Sequence, residues 1–254
     1  RSISDPEGFW LEQAESLDDP GPLLGLYAEW ARAEQCCVGG SAKVREGDCV
    51  FNSLVMFGPD GAVLGAYHKV KPTVDELKDG VSPGSEARVW ETPVGRLGGI
   101  ICFDLNFDDL RRQYAALRPE MLLFPSMFHG GALIEGWAVD CRCHIVAATQ
   151  LEGSGIVDPL GRTVAATNCY CCVARATINL DYEIVHLDFN REQLDALARE
   201  RRGDVTVEIP PHIGRVIIEN RTDRYDLAEL IEEFEIETLD HYFERAGAEI
   251  ERHR

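Results

Sequence analysis

Apolar and polar positions along this chain follow two periods, and the changes of period mark out its elements. Behind Pro22, residues Leu23, Leu26, Tyr27 and Trp30 recur at helical spacing and predict a helix buried along that face. Cys36 to Gly40 reads as a short apolar strand. Val50 to Phe57 and Ala62 to Tyr67 predict two strands joined by Gly58-Pro59-Asp60-Gly61, whose residues suit a tight turn. Arg96 to Phe103, Met121 to Phe124 and His144 to Thr149 predict further strands with helices between them. Gly155 to Val157 and Thr163 to Thr167 predict a hairpin around Asp158-Pro159-Leu160-Gly161. Val173 to Ile178 alternates as a strand does, and Asn190 to Arg202 predicts a helix. From Asp226 to Phe243 the apolar residues Leu227, Leu230, Ile231, Phe234, Leu239, Tyr242 and Phe243 stay near helical spacing beside a dense row of glutamates. Hairpins combined with helical crossovers imply an α/β fold of two mixed sheets with outer helices.

Composition narrows the class. A chain of 254 residues can bury a substantial core as one α/β domain, and 45% hydrophobic content separates it from disordered sequences. No apolar run approaches the ~18 residues of a membrane span, and no signal-peptide pattern is visible. The formal charge of −19 repels phosphate backbones and anionic lipid, so neither nucleic acid nor membrane is expected as a partner. A soluble cytoplasmic protein fits this balance. The nine cysteines are odd in number and include adjacent pairs, which argues against a secreted disulfide framework. Cys141, Cys143 and His144 with Cys169, Cys171 and Cys172 lack the spacing of a structural zinc site. Buried small hydrophobes are the simpler account of these cysteines, and no metal or cofactor is implied.

Two residues stand out for chemistry. Cys102 lies between the apolar run Gly98-Gly99-Ile100-Ile101 and a segment with acids in its first turn and Leu110, Tyr114 and Leu117 at helical spacing. A thiol at such a strand-to-helix turn is held rigidly near a helix N-terminus, which favours thiolate. The plain alternative is a buried structural cysteine. Lys69 is one of only four lysines, with Lys43, Lys71 and Lys78, in a chain whose other basic residues are arginines. It follows a buried strand, where a lysine can exchange a proton or present a compact charge to an oxyanion. Lys71 and Lys78 read as surface residues. His68 should point away from Lys69, and Trp137 should serve packing.

Four stretches together resemble the nitrilase, or carbon–nitrogen hydrolase, superfamily, in its amidase-like branch. They are Asn52-Ser53 through Gly58-Pro59-Asp60-Gly61 to Tyr67-His68-Lys69; Gly98 to Arg112; Met121 to Ser126 with Trp137 and Arg142; and Gly153 to Gly161. The resemblance spans about residues 20 to 190 and implies a four-layer α-β-β-α sandwich. It implies cysteine-dependent hydrolysis of a non-peptide C–N bond in a small amide or carbamoyl compound. Cys102 would be the nucleophile, and Lys69 would stabilise the oxyanion. Glu76 matches the second glutamate that family members carry between lysine and nucleophile; its alternative is a solvated loop acid. Phe103-Asp104 in place of Trp-Glu leans toward amides over nitriles.

The family's proton-accepting glutamate ends an early strand, often as Pro-Glu. Pro6-Glu7 is the one such pair near the start, and the residues before it are too few and too polar for a buried strand. The expectation is therefore a domain over 1–205 lacking its first strand–helix–strand, with Glu7 a poor substitute base and no turnover by this chain alone. Residues 206–254 are expected to form a C-terminal extension whose acidic helix makes a homodimer or higher homo-oligomer contact. The alternative to an enzyme is a catalytically inactive nitrilase-like protein with a binding or assembly role.

Overall fold

Strand β2 (Cys49–Phe57) is apolar on both faces because it lies between two layers. In this computed structural model, which describes residues 11–150, 152–211 and 213–254, β2 is flanked antiparallel by β1 (Val38–Glu46) and β3 (Val63–His68). The β2–β3 turn forms as the sequence predicts. Gly61 supplies φ +75°, and Asp60 Oδ1 accepts from the Ala62 N–H at 2.9 Å. One face of this sheet, with Val44, Val55, Phe57 and Ala66, packs against helix α1 (Pro22–Glu34). The loop after β3 carries the short helix α2 (Val74–Lys78).

The other face, with Leu54, Met56 and Tyr67, meets a six-stranded sheet ordered β4-β5-β6-β7-β8-β9. Its strands are Val89–Thr92, Gly95–Gly99, Met121–Ser126, His144–Thr149, Gly155–Val157 and Thr163–Ala166. The middle three, β5, β6 and β7, are parallel and the rest antiparallel. The parallel crossovers run through α3 (Asp108–Leu117) and α4 (Ala132–Cys141). Leu110, Tyr114, Ile134 and Trp137 of these helices share the core of the larger sheet. The layers are thus α1, small sheet, large sheet, α3 and α4, which is the expected α-β-β-α sandwich. The two sheets meet closely at Gly99, where an added Cβ would stand 2.5 Å from Leu54 Cδ2.

Several expectations need correction. The small sheet is antiparallel among the described strands; its mixed character comes from one parallel bridge, Glu15 to Val44. Helix α1 buries Leu24, Ala28 and Ala31, while Leu23, Leu26 and Trp30 are exposed. The small alanines let the helix lie close to the sheet, with the Tyr27 ring seated over Gly40. Glu15 caps this helix from a distance, its carboxylate accepting from the Leu23 and Leu24 N–H groups at 2.8 Å each. Residues 173–178 form no strand; they find no neighbouring edge, and Val173 is exposed.

The chain divides into two compact units, Arg1–Ala176 and Thr177–Arg254. The division falls well before the expected start of a C-terminal extension at 206, because β10 (Tyr182–His186) pairs with β12 (Arg215–Asn220). The second unit also holds β11 (Val205–Glu208), α5 (Arg191–Glu200), α6 (Leu227–Glu233) and α7 (Leu239–Arg252), with sheet order β10-β12-β11. Val185, Leu194, Val216, Ile218 and Leu230 form its core. The single helical pattern expected over 226–243 is two helices. The chain breaks at Glu235, with φ +52°, and so buries Ile236. Among the described residues, no helix is long and apolar enough to cross a membrane.

Candidate active site

Lys69 is placed by the last rung of the small sheet, where its N–H donates to the Asn52 carbonyl at 2.8 Å. Strand alternation sends its neighbour the other way. The His68 ring lies against Phe51, with centroids 4.2 Å apart, and its Nδ1 is 2.8 Å from Ser53 Oγ. The Lys69 side chain is 2% exposed, and its ammonium donates to Glu76 Oε2 at 2.6 Å. Burying a charge this far requires a partner of that quality.

Glu76 is no solvated loop acid. Thr73-Val74-Asp75-Glu76 forms a capping box at the start of α2, so local sequence sets the direction of its side chain. Oε2 also accepts from the Thr73 N–H at 2.8 Å, and Oε1 accepts from Asn52 Nδ2 at 2.7 Å. Burial works to raise this carboxyl. The bonds from Lys69, the Thr73 N–H and Asn52, with the charge of Lys69, outweigh it and hold the group at about 2. Lys43 joins from β1, opposite Asn52 in the register, with its ammonium 3.7 Å from Glu76 Oε1. Burial pulls the Lys43 ammonium below its usual range, partly opposed by Glu76. Sequence inspection missed Lys43; the signal available was its place opposite Asn52 across the β1–β2 hairpin.

Cys102 sits differently from expectation. Strand β5 stops at Gly99, and Cys102 opens a five-residue 3-10 turn, Cys102–Asn106; α3 begins only at Asp108. The thiol is therefore not at the N-terminus of α3, and the helix-dipole argument for thiolate does not hold here. Instead, Cys102 takes φ +49°, a left-handed conformation that costs a non-glycine residue energy. It is half-buried against the core.

Asp104 ties the two segments together. It is wholly buried, and its Oδ2 accepts from the Ile101 N–H at 2.9 Å and the Tyr67 hydroxyl at 2.8 Å. Its Oδ1 accepts from the Lys71 N–H at 2.8 Å. The residue before Cys102 and the residues flanking Lys69 thus share one carboxylate. Lys71 and Lys78 pair at the surface with Asp109 and Asp75. Trp137 packs in the core, its Nε1–H donating to the Leu105 carbonyl at 2.9 Å.

The remaining cysteines divide. Cys141 and Cys143 are buried, as expected, but Cys169, Cys171 and Cys172 are exposed, since the strand that would have covered them does not form. Among the described residues, no group of three or more His, Cys, Asp or Glu side chains could hold a metal ion. Pro6 and Glu7 lie outside the described residues.

The family described as carbon-nitrogen hydrolase matches residues 5–182, about two thirds of the chain. This protein belongs to that family. Among characterised relatives, the Danio rerio omega-amidase NIT2 is 28% identical over 226 residues, covering 78% of each chain. The Homo sapiens omega-amidase NIT2 is 27% identical over 226 residues, with the same coverage. The chloroplastic omega-amidase of Arabidopsis thaliana is 28% identical over 223 residues, 77% of this chain and 59% of that protein. Saccharomyces cerevisiae Nit3, of the nitrilase superfamily, shares the fold with a TM-score of 0.56 at 22% identity, over 65% of this chain and 67% of its own. An amidase from Nesterenkonia sp. shares it with a TM-score of 0.53 at 21% identity, over 60% and 63%.

Proposed function

We propose that this protein hydrolyses the C–N bond of a small linear amide or carbamoyl compound through a thioester on Cys102. The observation that carries the proposal is the pairing of buried Lys69 with half-buried Glu76 at 2.6 Å, linked through Asp104 to the left-handed turn at Cys102. A lysine side chain held in place inside a protein suits an oxyanion. The omega-amidase relatives support an amide as substrate.

In this scheme a carboxylate takes the thiol proton, and the sulfur bonds to the carbonyl carbon. Lys69 stabilises the resulting oxyanion. The C–N bond then breaks, and the nitrogen leaves as ammonia or an amine with the proton first taken from sulfur. Water attacks the thioester and frees the acid and the thiol. Glu76 is a poor proton acceptor, because a group held at about 2 has little basicity near neutral pH. Its work is to hold and orient the Lys69 side chain. No described residue is assigned the proton transfer; Glu7, within the family match over residues 5–182, is the weak candidate that the sequence offers. A homodimer or larger homo-oligomer remains part of the proposal.

The test is ammonia release from a panel of linear amides. Release by the wild type that disappears in Cys102→Ala supports the scheme, and a further fall of about 10²–10⁴-fold in Glu7→Gln would make that residue the base. Release that survives Cys102→Ala sinks the scheme. A wild type with no release from any amide, still binding them, favours the catalytically inactive alternative.

A further inference from the structure

Asp104 has no part in the scheme above, yet its side chain is closely held. It is 0% exposed, and three donors fill its two oxygens. Each donor belongs to a residue beside a reacting group. Ile101 immediately precedes Cys102, and Tyr67 and Lys71 stand two residues to either side of Lys69. Tyr67 is itself buried, and its hydroxyl oxygen also accepts from the Val70 N–H at 3.4 Å. One buried carboxylate therefore grips the lysine segment and the nucleophile segment, largely by their backbones. Cys102 meanwhile holds φ +49°, a conformation that persists in a non-glycine residue only where the surroundings over-determine it. The Ile101 N–H bond to Asp104 fixes the chain one residue upstream of that strain. Burial pushes the Asp104 carboxyl up, and the bonds from Ile101, Tyr67 and Lys71, with the charge of Lys69, oppose it.

We propose that Asp104 is a positioning residue, which keeps Cys102 in its left-handed turn and sets the spacing between that turn and Lys69. The kinetic consequences rest on the hydrolase proposal; the effect on thiol reactivity rests on geometry alone. Most of the acceptor positions of Asp104 are already occupied, so it is not offered as the base.

Asp104→Asn swaps one acceptor oxygen for an NH₂ group that must face an existing N–H or O–H donor. Tyr67→Phe removes one donor and leaves the carboxylate in place. Two readouts apply, both normalised to folded protein. One is the rate of alkylation of Cys102 by iodoacetamide, separated by peptide mapping from the other thiols among the nine cysteines. The other is kcat and KM for ammonia release. Asp104→Asn is expected to lower kcat about 10²-fold with KM nearly unchanged, as a misplaced reacting group does. It should also change the Cys102 alkylation rate about tenfold or more, with Tyr67→Phe shifting both in the same direction by less. A variant that melts earlier but keeps the wild-type alkylation rate and kcat makes Asp104 a structural support only, and overturns the proposal. If Asp104→Asn does not fold, an unchanged alkylation rate in Tyr67→Phe overturns it equally. If the wild type releases no ammonia, the hydrolase proposal falls, and the alkylation comparison still decides the role of Asp104.

Discussion

Both units bury polar side chains, but of different kinds. In the larger unit the buried groups around the site are ionisable: Lys69 at 2% exposure and Asp104 at 0%. In the smaller unit they are neutral amides, Asn190 at 1% and Asn220 at 5%. Asn190 donates to the His186 and Glu237 carbonyls at 2.8 Å and accepts from the Glu237 N–H at 2.9 Å, joining the end of β10 to the start of α7. Asn220 donates to Asp181 and to the Tyr225 carbonyl, and accepts from the Thr222 N–H. A satisfied amide pins a loop at little desolvation cost. A buried ion pair recovers its desolvation only partly, and apolar residues of similar shape can replace it without loss of stability. The smaller unit holds these loops with asparagine, while in the larger unit buried Asp158 holds the 158–162 turn, accepting from the Leu160 and Arg162 N–H groups at 2.9 Å and pairing with Arg162. Around the site, where ions are kept, charge has another task.

The contrast can be broken most sharply at the ions. Lys69→Met is expected to remove about 10²–10³-fold of amide turnover, the scale of losing an oxyanion donor. The double variant Lys69→Met/Glu76→Gln, whose amide oxygen can still accept from Asn52 or the Thr73 N–H, should be equally inactive yet stay folded. A double variant that is inactive because it unfolds would make the pair structural and end the contrast.

Asn190→Ala carries the next largest effect, a loss of about 1–3 kcal/mol in urea unfolding, because it strands the Glu237 N–H and two carbonyls. Turnover per folded molecule should not change. A fall in turnover at constant fold would show that the amides, too, serve the chemistry.

Acid titration sharpens the role of Glu76. Its carboxyl lies at about 2, below the ordinary 4.5, so its stabilising contribution is complete above 4.5 and is lost as the pH falls toward 2. The stability difference between wild type and Glu76→Gln should be flat from about pH 7 to 5 and close on acidification below that. A difference that widens on acidification contradicts the pairing. The smallest effect belongs to Asn179→Ala. It removes one half-buried bond to the Asn220 carbonyl and one exposed bond from the Asp181 N–H, and should cost about 1 kcal/mol, read from the same urea curves.

Much of the fold was legible in the chain. The strands at 144–149 and 155–157 form within the bounds read from their apolar runs, and the Gly58–Gly61 turn forms from its own residue types. Local patterns of this sort depend on neighbours in sequence. The face of α1 was not legible, since four large residues at helical spacing suggested one side and two alanines with Leu24 took the core. A hydrophobic stripe says that a helix has a face, but the shape of the opposing sheet decides which one fits. The exposed cysteines were missed for the related reason that 173–178 alternates like a strand but has no edge to pair with.

At the site, Cys102 and Lys69 could be singled out from the chain, and the Thr73–Glu76 capping box was there to be noticed. Lys43 could be reached only through its place opposite Asn52 across the β1–β2 hairpin, and the part of Asp104 not at all, because each matters through a partner on a different element. Sequence alone determined the residue types available for chemistry, the turns, and the buried runs that build two sheets, all of which rest on local periodicity and intrinsic conformational preference. Only tertiary structure decided that Glu76 would take Lys69 as its partner, that Cys102 would adopt a left-handed turn, and that one aspartate would bind both segments. Such choices depend on distances between residues far apart in the chain, and those distances exist only once the layers have packed.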